Sequence, residues 1–216
     1  MTKMIQLNEK APRNLGLYIH IPFCRTKCLY CDFCSFVSRD ENEREQYVDM
    51  LLKEIAERGT KEHIVDTVYF GGGTPSLLKD EQVERILSAV REYFILDSCA
   101  EITLECNPRT HLDDGKKYFS SLKSIGVNRL SLGVQSAVDG ELKLIGRGHT
   151  FAEAKKTFED ARESGFDNIS VDLMFGIPSQ TLESLEYSIN EFIALGAEHI
   201  SIYSFSVEIV QNLHCI

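Results

Sequence analysis

Two hydrophobic periods alternate along this chain, and that alternation leaves few folds open. Short runs rich in β-branched and aromatic residues, bounded by Gly, Pro or Asn, occur at Leu15–Ile21, Thr67–Gly73, Glu101–Asn107, Arg129–Gln135, Asn168–Gly176 and His199–Glu208. They read as strands. Between them lie amphipathic stretches. Tyr47, Val48, Leu51, Leu52 and Ile55 share one helical face, and Val83, Ile86, Leu87, Val90 and Phe94 share another. Thr150 followed by Glu153 has capping-box spacing, and Gly165 and Gly196 stand where helices of this length stop. Six strand-then-helix units without hairpin signals predict a parallel sheet with helices over it.

A closed barrel of eight such units takes about 250 residues. Six units use up the 216 residues here, so the expected fold is α/β, an open (β/α)6 partial barrel with outer helices. A doubly wound open sheet is the alternative that alternation alone leaves standing. One core domain is expected over 15–208, after an N-terminal extension at 1–14 and before a divergent tail at 209–216. No helix pattern follows the sixth strand, so the expectation is a chain truncated at its C-terminal end or another body packed there.

The 33 acidic against 23 basic side chains leave a net charge of -10. Phosphate binding wants a basic face, so nucleic acid is not the expected partner. No uninterrupted apolar run approaches about 18 residues, so no membrane span is expected. The start, "MTKMIQLNEK", lacks an apolar stretch of signal-peptide length. The seven cysteines are therefore expected in a reducing cytoplasm, where clustered thiols serve metals or redox chemistry rather than disulfides.

In parallel α/β folds the working residues gather at the carboxyl ends of strands. Here the cysteine cluster follows strand one, Gly71–Pro75 ("GGGTP") ends strand two, and Glu105 with Asn107 ends strand three. Gln135 ends strand four, Asp172 lies in the second half of strand five, and Glu208 ends strand six. One polar site at one rim is expected. Its edge carries Cys24, Cys28, Cys31 and Cys34. Zinc would need all four from one loop wrapping the ion alone. A thioredoxin-like pair would use Cys28 and Cys31, but that motif opens a helix and leaves Cys24 idle. An iron–sulfur cubane on Cys24, Cys28 and Cys31 fits better, with Arg25 and Lys27 nearby to offset its charge. The glycines of "GGGTP" let backbone approach a ligand, and their carbonyls suit an ammonium group. Asp172, flanked by Val171, Leu173, Met174 and Phe175, needs a partner such as a ribose diol or an ammonium. Gln135 and Arg147 add hydrogen-bonding reach, and an arginine can hold a carboxylate bidentately. His20, His149 and His199 have no metal-like spacing and read as structural. Cys99, Cys106 and Cys215 read as small apolar residues.

With these residues assembled, the chain resembles the radical S-adenosylmethionine (SAM) superfamily, and within it the oxygen-independent coproporphyrinogen III oxidase family. The likeness runs from about Leu15 to Glu208 and rests on "YIHIPFCRTKCLYC", "YFGGGTPSLL", "TLECNP", "NRLSLGVQS", "GRGHT" and "VDLMFGIPSQT". It implies a [4Fe–4S] cluster on Cys24, Cys28 and Cys31, whose open iron takes the amino and carboxylate groups of SAM. It also implies SAM contacts at Tyr18, Tyr30, Gly72, Gly73, Thr74, Glu105, Gln135, Arg147 and Asp172. The implied chemistry is reductive cleavage of the sulfonium to a 5′-deoxyadenosyl radical, fed by an electron donor such as flavodoxin or ferredoxin.

Two branches of that family differ in outcome. The oxidase branch decarboxylates two porphyrinogen propionates. The haem-chaperone branch binds haem and transfers it to acceptor haemoproteins. The oxidase pattern has a fourth cysteine where this chain has Phe33, and a longer N-terminal segment. Both features resemble the chaperone branch, with Cys34 a bystander. Relatives continue past the sixth strand, and after Glu208 this chain loses their pattern.

Overall fold

The computed structural model describes residues 14–206. β1 (Asn14–Ile21) leads into the cysteine loop, which is pinched between β2 (Phe23–Cys24) and β3 (Phe36–Val37), two short strands paired in parallel. Then come α1 (Glu41–Arg58), β4 (Ile64–Gly72), α2 (Asp80–Tyr93), β5 (Ile95–Cys106), α3 (Gly115–Ile125) and β6 (Arg129–Gln135). A short α4 (Asp139–Leu144) precedes α5 (Phe151–Glu163), β7 (Ile169–Phe175), α6 (Leu182–Leu195) and β8 (His199–Ser204).

The six long strands form one sheet in the order β1-β4-β5-β6-β7-β8, and every neighbouring pair is parallel. Spatial order follows chain order throughout. A doubly wound sheet needs a point where that order reverses, so the alternative falls and the open six-unit barrel stands. Along β6, Leu130, Leu132 and Val134 are fully buried toward the helices, while Ser131, Gly133 and Gln135 line the opposite, concave side. In β7, Ile169, Val171 and Leu173 are buried in the same core, and Asp172 and Met174 line the concave side. A closed barrel fills its interior with branched apolar side chains. Here the concave side carries polar groups, and the apolar core lies between sheet and helices.

Both expected helical faces pack into that core, Val48 and Ile55 from α1 and Val83, Ile86, Leu87 and Val90 from α2. The Thr150 capping box forms: Thr150 Oγ1 accepts from the Glu153 N–H at 3.2 Å, and Glu153 Oε2 accepts from the Thr150 N–H at 2.7 Å. Gly196 closes α6 in the left-handed region at φ 73°, while Gly165 sits one residue beyond the Ser164 cap of α5.

Three local features escape the periodicity. β5 starts at Ile95 rather than Glu101: Asp97 and Ser98 interrupt the apolar pattern of "ILDSCA", yet Ile95 and Leu96 pair with Ile64 and Val65 of β4. α4 has six residues, under two turns, too few for a 3.6 period to declare itself. β2 and β3 have two residues each. Residues 1–13, Glu208 and the expected tail at 209–216 lie outside the described residues, and Asn14 already belongs to β1.

Candidate functional site

One cavity of about 320 Å³ opens at the carboxyl ends of the strands, and the sites expected from sequence converge on it. Cys24, Cys28 and Cys31 form part of its wall together with Tyr30, Gly72, Gly73, Thr74, Glu105, Gln135, Arg147 and Asp172. Cys34 is not part of that wall and is exposed. Tyr18 does not reach the cavity either. It is 60% exposed, stacks on Tyr69 with ring centroids 6.1 Å apart, and lies 3.1 Å from His20 Nδ1. The His20 Nε2–H donates to the Cys34 carbonyl at 2.8 Å, which leaves Nδ1 to accept from the Tyr18 hydroxyl. Tyr18 and His20 thus anchor the far end of the cysteine loop to β1.

The loop is built by turns, not by a helix. The Cys31 N–H donates to the Cys28 carbonyl at 3.2 Å, and no helix begins before Glu41 among the described residues. A thioredoxin-like pair at a helix start is therefore absent here. A single zinc ion needs donors converging on one point, and among the described residues no three Cys, His, Asp or Glu side chains do so. A multi-iron cluster takes each thiolate on a different iron, and Cys24, Cys28 and Cys31 all lie on the cavity wall. Burial raises the Cys31 thiol pKa, and the charges of Cys28 and Cys24 raise it further. Such a trio calls for positive charge. Arg25 and Lys27, expected to supply it, are exposed and off the cavity wall. Arg147 supplies it instead, with Nη1 3.5 Å from Cys28 Sγ across 119 residues of sequence.

Gly72 and Gly73 of "GGGTP" line the cavity, and packing also requires them to be glycine. At φ 119°, Gly72 is left-handed, and a Cβ there would lie 2.6 Å from the His20 ring. On Gly73 a Cβ would meet the Phe23 carbonyl at 2.7 Å and Cys24 Sγ at 3.0 Å. Only glycine lets β4 end this close to the cysteine loop. Thr74 Oγ1 then lies 3.7 Å from Cys24 Sγ.

The acids are held differently. Glu105 accepts from the Tyr69 hydroxyl at 2.8 Å and from the Gly72 N–H at 3.1 Å, while burial raises its pKa. Burial, then the Glu105 charge, pushes Asp172 up to about 7, with Ser131 Oγ 3.4 Å away. Gln135 ends β6 in the left-handed region at φ 74°, unusual for a non-glycine. Its Oε1 is buried without a hydrogen-bond partner, and so is Arg147 Nε. Arg147 donates through Nη2 to the Gly133 carbonyl.

The sequence between residues 18 and 192 matches the family model of the radical SAM superfamily. The chain belongs to that superfamily. This radical SAM chain is 42% identical over 196 residues to the heme chaperone HemW of Bacillus subtilis, covering 88% of itself and 50% of that relative. To the heme chaperone HemW of Escherichia coli it is 40% identical over 198 residues, covering 90% of itself and 51% of the relative. The solved coproporphyrinogen III oxidase HemN of Escherichia coli, described as a radical SAM enzyme, superposes with a TM-score of 0.83 at 32% identity, covering 90% of this chain and 45% of HemN. Within the superfamily it is therefore HemN/HemW-like, and it spans about half the length of the curated relatives it matches. Membership implies SAM and a [4Fe–4S] cluster as cofactors. No helix among the described residues is long and apolar enough to cross a membrane.

Sequence reasoning missed several participants in this radical SAM chain. Ser131 and Met174 line the cavity two positions from Gly133 and Asp172, so strict alternation would have found them. Tyr69 and Gly133, which hold Glu105 and Arg147, carry no sequence signal of their own. His149, read as structural, is buried, and its Nε2 lies 3.2 Å from the Val134 carbonyl. Burial and then Arg147 hold its pKa down to about 3. Cys106 is buried as expected but also lines the cavity, its Sγ 3.8 Å from the Leu104 carbonyl; Cys99 is exposed, and Cys215 lies outside the described residues.

Proposed function

We propose that this chain is the cofactor-binding barrel, residues 15–208, of a cytoplasmic haem chaperone of the HemW type. One observation carries the reading: the three loop thiols, Cys24, Cys28 and Cys31, line the same cavity as two buried, unpartnered polar atoms, Gln135 Oε1 and Arg147 Nε. A buried polar group without a partner costs about 1–3 kcal/mol, and a polar ligand in the cavity would relieve both. Cys24, Cys28 and Cys31 hold the [4Fe–4S] cluster. Tyr30, Gly72, Gly73, Thr74, Glu105, Gln135, Arg147 and Asp172 hold SAM, and Tyr18 acts at one remove through His20. When bound, cluster and SAM supply one-electron reductive chemistry at the sulfonium.

The chain's own residues orient and balance charge. Arg147 sets a cation against Cys28. Tyr69 and the Gly72 N–H occupy both Glu105 oxygens and so fix the direction of that carboxylate. Asp172, on the concave face, suits the diol of a ribose. Haem is the proposed cargo, a haemoprotein the acceptor, and a flavodoxin or ferredoxin the electron donor.

Anaerobic reconstitution of the 216-residue chain with iron and sulfide tests the cofactor assignment. The parent and Cys34→Ala should develop a broad brown absorbance that Cys24→Ala, Cys28→Ala and Cys31→Ala lack. Equal loss in Cys34→Ala would refute three-cysteine ligation. The chaperone reading is tested with reductant, SAM and coproporphyrinogen III. Vinyl product would make the protein an oxidase, and haem binding without turnover would support the chaperone.

A further inference from the structure

α4, the helix that periodicity missed, carries a carboxylate that neither the fold nor the cofactor site explains at first sight. Glu141 is 5% exposed. It accepts three hydrogen bonds: from Ser136 Oγ at 2.6 Å, from Gln180 Nε2 at 3.0 Å and from Ser184 Oγ at 2.5 Å. No Lys, Arg or His pairs with it among the described residues. Its donors come from three places. Ser136 follows the end of β6, Gln180 stands in the loop after β7, and Ser184 lies in the first turn of α6. A buried carboxylate is costly to desolvate, and here three neutral donors from separate segments converge on it.

What it holds can be followed atom by atom. The Ile145 N–H donates to the Glu141 carbonyl at 3.2 Å, and the Arg147 N–H to the Leu142 carbonyl at 2.9 Å. The Ile145 carbonyl accepts from the Leu29 N–H at 3.2 Å, inside the cysteine loop between Cys28 and Cys31. Gly146, at φ 76°, lies so close to Leu29 that a Cβ on it would meet Leu29 Cγ at 3.0 Å. Arg147 then reaches Cys28 Sγ and the Gly133 carbonyl. Gln180 also donates to the Met174 carbonyl at 3.3 Å, on the cavity wall. One carboxylate thus joins the exits of β6 and β7 to the segment that carries both Arg147 and the seat of the cysteine loop.

We propose that Glu141 is a positioning residue for the cofactor cavity, fixing α4 so that Arg147 and Leu29 are held at the wall. This rests on the cofactor reading above for its functional consequence, but its structural half does not. In Glu141→Ala the three donors lose their common acceptor and α4 is free to shift. In Glu141→Gln the amide oxygen can still accept from Ser136 and Gln180. The Ser184 hydroxyl, already 3.1 Å from the Thr181 carbonyl, can turn to donate there and accept from the new amino group.

The test uses the full 216-residue chain, with Val90→Ala, buried in the core beneath α2, as a control for general destabilisation. Two readouts are needed. The first is amide hydrogen exchange at Leu29 and Arg147 without cofactor. Glu141→Ala should speed both amides relative to Val90→Ala, and Glu141→Gln should not. The second is SAM binding to the reconstituted chain, with the electron paramagnetic resonance signal of the reduced cluster recorded before and after SAM. Glu141→Ala should weaken SAM binding about ten-fold and blunt the change in the signal, while Glu141→Gln stays within about three-fold of the parent. Should Glu141→Ala not fold, Ser184→Ala removes one donor and should move both readouts the same way by less. Unchanged exchange together with SAM affinity within about two-fold of the parent would overturn the proposal. A parent chain that assembles no cluster would instead sink the cofactor reading, leaving the exchange data to decide whether Glu141 holds this segment.

Discussion

Asp172 and Arg147 show how single residues acquire chemistry from their surroundings. Burial and Glu105 hold the Asp172 carboxyl at about 7, against 3.8 for a free one. Between those values the folded chain keeps a proton that the unfolded chain has released. Stability therefore falls as pH rises through the window, and the penalty is complete above about 7. Asp172→Asn cannot ionise. Measured without cofactor, its Tm should gain on the parent's steadily from about pH 4 to about pH 8, and a constant offset across that range would refute the assignment. Arg147 works through geometry. Its guanidinium serves Gly133 and Cys28 from two different nitrogens, which a lysine ammonium cannot reproduce. Arg147→Lys should bind SAM about ten-fold more weakly than the parent in an equilibrium titration of the reconstituted chain, a loss larger than its drop in Tm accounts for. Asp172 was legible as a candidate because an acid among apolar neighbours has to be satisfied. Arg147 was legible only as a cation with hydrogen-bonding reach; its partner lies 119 residues away, so no local pattern could name Cys28.

At the scale of elements, helix ends are separable from the site. Thr150 and Glu153 cap α5 reciprocally, and neither lines the cavity. Thr150→Ala should cost about 1 kcal/mol and lower Tm by about 2–4 °C in thermal melts, with cluster assembly unchanged. Gly146 is the opposite case. Any side chain there is strained by φ 76° and driven into Leu29. Gly146→Val should therefore assemble less cluster, by iron and sulfide analysis, than Thr150→Ala does at matched Tm. Capping boxes and the helical faces of α1 and α2 were legible because residues three and four apart create them. α4, β2 and β3 were not, since each is held by contacts to distant chain rather than by its own period.

For the whole molecule, the consequence of an open barrel is an unpaired sheet edge. Among the described residues β8 has a strand partner on one side only, and Ile202 on it is 57% exposed. Exposed apolar edge strands template association. The chain should self-associate as concentration rises, and Ile202→Lys should suppress this in sedimentation velocity without altering far-UV circular dichroism. An unchanged association profile would clear β8 of the role. The polar concave face belongs to this scale as well. A cleft that takes a ligand cannot be lined as the packed interior of a closed barrel is.

The sequence by itself determined the parallel alternation of six units, the rim on which polar residues would meet, and which three cysteines share a spacing. Those are properties of neighbours along the chain, where periodicity and turn chemistry act. Tertiary structure alone decided that the sheet runs in unreversed order, that Arg147 rather than Arg25 or Lys27 meets Cys28, and that Glu141 joins three strand-end segments. Each of these depends on where the chain returns in space. Hydrogen bonds and Coulomb forces act over a few ångströms whatever the separation in sequence, so no local pattern can carry them.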